Sequence, residues 1–204
     1  MIVIAHRGAS WDAPENTLEA FELAVEQGAD YIEFDVRAAP DGTLVVAHDP
    51  IGERRPHMPT LDATLEALRG RVGLALEIKE QGTTERVLAA LRRHRIEPDA
   101  LLVLSGRIRA LELVRRRRPD ARCVLHLGRR PDPTAATGFW GVGFRDRSAA
   151  PRKIALAQSF GLAVTVFTVN EEPRMRELAG LGVDGIISDR PAVLRETLAG
   201  LRVK

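Results

Sequence analysis

One rhythm constrains this chain more than any other feature. Short β-branched runs alternate with stretches of helical period from one end of its 204 residues to the other. The runs are "IVIA" (2–5), "YIEFDV" (31–36), "LALEIK" (74–79), "LLVLS" (101–105), "CVLHL" (123–127), "GVGF" (141–144), "LAVTVF" (162–167) and "GIISD" (185–189). Helical stretches are expected at 15–28, 60–68, 84–94, 107–118, 148–160, 172–180 and 191–201, with Pro173 and Pro191 at first-turn positions. Parallel strands need crossovers of this length, and eight such units favour closure into a compact α/β (β/α)8 TIM barrel over an open doubly wound sheet. Roughly 200 residues is the lower limit for that fold, so 1–204 reads as one pared-down barrel domain. The weakest unit is 128–140, "GRRPDPTAATGFW", where little helical pattern survives.

Local signals refine the picture. In "ENTLEAFELAVEQG", Leu18, Phe21 and Val25 share a face, Asn16 and Glu19 have capping-box spacing, and Gly28 ends the helix. Leu61, Leu65 and Leu68 mark the buried face of the next helix. "TLVVAH" lies too close behind "YIEFDV" for a crossover, so it is expected to return as an extra hairpin strand after strand 2. With Asp41-Gly42 as a two-residue turn, counting outward sets His48 opposite Asp35, on the same side of the sheet.

That pairing matters because the strands carry carboxylates where apolar residues are expected. Glu33 and Asp35 alternate onto one face of "YIEFDV", and Glu77 and Lys79 onto one face of "LALEIK". His6 and Arg7 end the first strand. All sit at carboxyl ends of strands, where barrels of this kind carry their active sites. Three converging carboxylates require protons or a cation, and an all-oxygen set favours a divalent metal ion, Mg²⁺ or Ca²⁺, ahead of Zn²⁺. The competing reading is a metal-free network neutralised by Arg7 and Lys79. Two imidazoles at such a centre fit a general acid and base, and the two cations fit a phosphate. His57, His94 and His126 read as structural. Asn170 reads as a loop-fixing group, Glu15 as a helix-start group, and Asp189 as a cap of the last helix.

The composition excludes other classes. Net charge is +2, aromatics are 4% of the chain, and Arg115 to Arg118 fall at a helix end, so no nucleic-acid footprint is present. A lone Cys123 in an apolar run reads as inert packing in a reducing compartment. No apolar stretch is long enough for a transmembrane segment, and "MIVIAHRGAS" lacks a leader pattern, so a cytoplasmic location is expected. Oligomeric state leaves no trace in the sequence.

"HRG", "APENT", "GADYIEFDVRAAPDGTLVVAHD", "LEIK", "GLAVTVFTVN" and "GVDGIISDRP", in that order, resemble the glycerophosphodiester phosphodiesterases. The resemblance implies a metal-dependent hydrolase of small-molecule phosphodiesters that releases glycerol 3-phosphate. By position it places the metal carboxylates on Glu33, Asp35 and Glu77, the catalytic histidines on His6 and His48, and the phosphate-contacting cations on Arg7 and Lys79. Trp11 and Phe167 are the further candidates for the substrate pocket, and a Trp is common in that family where Phe167 stands. The family's usual insertion after "HD" is missing. Its absence leaves room for a lysophospholipase D acting on lysophospholipids. Two further alternatives are a non-catalytic phosphodiester- or metal-binding module and an unrelated barrel enzyme using Lys79 as a Schiff base.

Overall fold

The computed structural model describes residues 1–52, 58–128 and 132–201. Among these, nine strands form one sheet: β1 (Ile2–His6), β2 (Tyr31–Ala38), β3 (Leu44–Val46), β4 (Gly73–Ile78), β5 (Leu101–Ser105), β6 (Arg122–His126), β7 (Gly141–Arg145), β8 (Ala163–Phe167) and β9 (Gly185–Ser188). Eight are parallel. Because β1 pairs with both β2 and β9, the sheet closes into a barrel, with β3 antiparallel on β2 as the extra strand. Helices α1 (Leu18–Glu26), α2 (Leu61–Leu68), α3 (Thr84–Arg93), α4 (Ile108–Arg117), α5 (Pro151–Ser159), α6 (Glu172–Gly180) and α7 (Pro191–Leu201) surround it. The crossover from β6 to β7 has only a single 3-10 turn, Pro133–Ala136, among its described residues. Arg129 to Pro131 of the weak 128–140 unit lie outside the described residues, as does His57.

Two apolar layers hold the barrel. Outward-facing strand residues such as Phe34, Val103 and Phe144 pack under the helices, with Phe21, Leu65 and Leu111 from the helical side. Inward-facing Ile4, Ala75, Leu102, Leu104, Val124 and Ile187 fill the interior, with Tyr31 and Trp140 packed against them. Large and small residues are matched: any side chain at Gly73 would place its Cβ 2.5 Å from the Tyr31 ring. With the barrel centre filled by hydrocarbon, inward positions at the carboxyl ends of the strands are left for polar groups. Cys123 is buried in the outer layer, and burial pushes its thiol up to about 11, which suits packing rather than nucleophilic chemistry.

Two local expectations need correction. The buried face of α1 is Ala20, Phe21 and Ala24, while Leu18 is exposed. Small residues win because the helix lies close to the loop after β1: a Cβ at Gly8 would come within 2.7 Å of the Ala20 backbone, and Gly8 has φ +87. The hairpin register is also shifted by one. Val36 pairs with Val46 and Ala38 with Leu44, which sets Ala47, not His48, opposite Asp35. The loop has three residues, Pro40 to Gly42. The Gly42 N–H donates to the Ala39 carbonyl at 2.8 Å, and Gly42 takes φ +86, a type I turn closed by a left-handed glycine.

Candidate active site

The strand ladder sets the heights of the polar groups. His6 is level with Glu33 across β1 and β2, and Asp35 is level with Glu77 across β2 and β4. Glu33 and Asp35 are almost wholly buried, and carboxylate oxygens of Glu33, Asp35 and Glu77 all lie within 4.8 Å of one another. Glu33 and Glu77 open onto a cavity of about 240 Å³ whose walls also include His6, Arg7, His48 and Lys79, with Asp35 buried beside them. The structure therefore brings together seven of the nine residues singled out in the sequence around one acidic centre. Phe167 lines the same cavity. Trp11 does not reach its wall. It stands 62% exposed on the rim, with the Arg190 guanidinium 4.9 Å above its ring.

Charge within the cluster does not balance. Lys79 Nζ lies 3.2 Å from Asp35 Oδ1 and 3.3 Å from Glu77 Oε2, and Arg7 Nε lies 3.3 Å from Asp35 Oδ2. Arg7 also gives Nη1 to Glu15 at 2.7 Å, so Glu15 steers a cation rather than a helix start. Two cations face three acids. For Asp35, burial pushes the pKa up, but Lys79 and Arg7 outweigh it and the carboxyl titrates below its usual range. For Glu33, burial, then repulsion from Asp35 and Glu77, drives the pKa well above the ordinary carboxylate value. Among the described residues Glu33 receives only the Arg7 backbone N–H, at 3.0 Å. Asp35 Oδ1 has no hydrogen bond of good geometry among the described residues and meets only the Lys79 ammonium. Three converging carboxylate oxygens, one of which must otherwise carry a proton, form an all-oxygen set that fits a hard divalent cation.

Each histidine is held through Nδ1. His6 Nδ1 lies 2.6 Å from Asp189 Oδ1. Asp189 also accepts from Ser10 Oγ at 2.9 Å and Asn170 Nδ2 at 2.6 Å, while Asn170 Oδ1 accepts the Asp189 backbone N–H. Asp189 is thus no mere helix cap, and Asn170 fixes Asp189 as well as its loop. With Nδ1 bonded to Asp189, His6 presents Nε2 as its free nitrogen, a tautomer assigned from that hydrogen bond. His48 Nδ1 faces Asp49 Oδ1 at 2.9 Å, and Arg37 Nε anchors the His48 carbonyl at 2.7 Å. The loop beyond β3 thus carries His48 to the mouth without the direct pairing expected of the hairpin.

Burial alone would raise the Asp189 pKa, but hydrogen bonds from His6 and Asn170 overcome it and hold the group at about 2. An unfolded Asp titrates near 4. The stability Asp189 contributes is therefore full above about pH 4 and is lost as pH falls through 2. Asp189→Asn is expected to lower the urea midpoint at pH 7 and to differ less from wild type at pH 3; an equal gap at both values would contradict this assignment.

Three further groups belong to the site. Asn16 has φ 58 and points inward, donating Nδ2 to Asp35 Oδ2 at 3.0 Å; Thr17, not Asn16, caps α1 through the Ala20 N–H. Asn tolerates the left-handed region better than most residues, but nothing in the sequence marks this Asn as left-handed. His126, read as structural, lines the cavity, stacks on Phe167 with centroids 4.2 Å apart, and has Nδ1 3.8 Å from Glu77. Burial lowers its pKa and favours neutral imidazole. The period of "RCVLH" did carry the signal, since Arg122, Val124 and His126 share the inner face. Arg145 lines the opposite wall. His94, by contrast, pairs with Asp62 at 2.7 Å in the helical layer, as its structural reading expected.

The glycerophosphoryl diester phosphodiesterase family model matches residues 6–81 and 75–193. A glycerophosphodiester phosphodiesterase of Caldanaerobacter subterraneus subsp. tengcongensis is 27% identical over 95% of this chain and 96% of its own. A phosphodiesterase of Oleispira antarctica, solved in complex with the product sn-glycerol-3-phosphate, superposes with a TM-score of 0.86 at 26% identity, covering 98% of this chain and 97% of that one. A glycerophosphodiester phosphodiesterase of Agrobacterium tumefaciens gives 0.80 at 29% identity over 95% and 99%.

Proposed function

The chain belongs to the glycerophosphoryl diester phosphodiesterase family, and from that premise we propose that it is an enzyme hydrolysing glycerophosphodiesters to glycerol 3-phosphate and an alcohol, with residues 1–204 acting as one catalytic domain. The observation that carries this reading is the meeting of His6 and His48 with three carboxylates at a single mouth. Glu33, Asp35 and Glu77 would hold the divalent ion, Mg²⁺ or Ca²⁺. When bound, such an ion supplies Lewis-acid stabilisation of the charge that develops on the phosphoryl oxygens.

The chain's own groups account for the remaining steps. Arg7 and Lys79 are fixed by their carboxylate partners and present positive charge to the phosphate without reorganising. His6 Nε2 takes the proton from the attacking oxygen: water attack gives glycerol 3-phosphate directly, whereas attack by the adjacent glycerol hydroxyl gives a cyclic phosphate that water then opens with the two histidines in exchanged roles. Its base role follows from Asp189, whose ionised carboxylate stabilises the imidazolium that forms. His48, half-buried on the outer side of the mouth, gives its proton to the alkoxide as the phosphorus–oxygen bond breaks. One imidazole gains a proton and the other loses one, so solvent exchange resets the pair.

A lysophospholipid would need an apolar path beside the phosphate. Leu127 and Phe167 on that side are followed by the charged Arg145, which favours a water-soluble diester. Product analysis after incubation with glycerophosphocholine tests the proposal: glycerol 3-phosphate and choline are expected, whereas phosphocholine or unchanged substrate would defeat it.

A further inference from the structure

Among the cations lining the cavity, Arg145 stands apart. Arg7 and Lys79 are each engaged by two carboxylates. Arg145 has no carboxylate partner among the described residues. Its neighbour Asp146 is engaged by Arg174 at 2.7 Å, and the Arg145 guanidinium is braced 5.7 Å from the centre of the Phe167 ring. Phe167 in turn stacks on buried His126, which limits how far that ring can move. An aromatic brace of this kind reduces the freedom of a side chain that would otherwise wave in solvent.

Its position gives the charge a purpose. Around the closed cylinder the strand order is β1, β2, β4, β5, β6, β7, β8, β9. Four steps in either direction separate β2, which carries Glu33 and Asp35, from β7, which ends at Arg145. Arg145 therefore faces the acidic centre from directly across the mouth. A phosphate held at the acids by Arg7 and Lys79 would have one of its two ester arms directed toward that far wall. Arg145 lines that wall and is exposed at the rim, so this arm would run past its guanidinium. The rim aromatic Trp11 could have held a quaternary ammonium, but Arg190 already covers its ring.

We propose that Arg145 is a specificity-determining residue that selects glycerophosphodiesters whose alcohol carries an anionic group, a carboxylate or a second phosphate. The inference rests on the phosphodiesterase reading above and deepens it by naming the substrate class. A guanidinium opposite a carboxylate can make a two-point contact, and the neutral or cationic alternative leaves it unpaired.

Glycerophosphoserine and glycerophosphoethanolamine make a matched pair of probes, differing by one carboxylate. Wild type is expected to show the higher kcat/KM for the serine diester. Arg145→Gln should lower the serine-to-ethanolamine ratio about tenfold, the size expected of one partly exposed charge-assisted contact, chiefly through KM. Arg145→Lys should recover part of that ratio. A ratio unchanged in Arg145→Gln would overturn the inference even if both rates fell, because it would make Arg145 a general or structural contributor. Turnover of neither diester by wild type would defeat the phosphodiesterase reading itself, and this inference with it.

Discussion

Asp35→Asn is expected to abolish turnover and to destabilise the fold at the same time, a combination that follows from where this carboxylate stands. It is the one acid that both cations of the cluster contact, and it is buried to within 1%. Removing its charge leaves Arg7 and Lys79 facing only Glu15, Glu33 and Glu77. Breaking a buried ion pair costs about 3–5 kcal/mol, and the remaining acids can take over part of the load, so a loss near about 3 kcal/mol is expected in urea unfolding. The catalytic loss should be on the order of 10³-fold or more, since a ligand-deficient site forfeits several kcal/mol of charge stabilisation in the transition state. A folded Asp35→Asn protein with more than a tenth of wild-type kcat would show that the acids are structural.

His48→Ala separates chemistry from stability. The side chain is half-buried and its carboxylate partner Asp49 is solvent-exposed, so the change in unfolding free energy should stay within about 0.5 kcal/mol. Turnover of a glycerophosphodiester with an alkyl alcohol should fall by about 10²–10⁴, the usual worth of a positioned acid. A diester with an acidic aryl alcohol needs no proton on its leaving group, so His48→Ala should retain much more of its activity there. His6→Ala should not discriminate, because the attacking oxygen needs the same base in both cases. Equal losses on both substrates in His48→Ala would remove the general-acid assignment, and a selective loss in His6→Ala instead would exchange the two roles.

Much of this architecture is legible in the chain because its signals are local. The eight β-branched runs became the eight barrel strands with ends shifted by at most a residue or two. The bounds of α6 and α7 follow from Pro173 and Pro191, which pre-set the first turn. The acidic centre was equally visible, since a carboxylate within an apolar strand has no local explanation.

The remainder is set by geometry that a linear reading does not contain. The hairpin register turned on whether Gly42 is a turn residue or the left-handed residue after the turn, and the same "PDG" serves both. Asn16 left its helix for Asp35 because a positive φ turns its side chain inward. Asp189 and His6, 183 positions apart, meet only because β9 closes on β1. Arg145 became informative only once the barrel set it across from β2.

The most direct test is glycerol 3-phosphate release from glycerophosphocholine by the chelator-stripped chain, alone and with Mg²⁺ or Ca²⁺ restored. The account predicts no release in chelator and recovery with at least one of the two ions, because the ion that Glu33, Asp35 and Glu77 would hold supplies the charge stabilisation at the phosphoryl group. Release persisting at full rate in excess chelator would contradict it, and would make the acidic centre a salt-bridge network rather than an ion site.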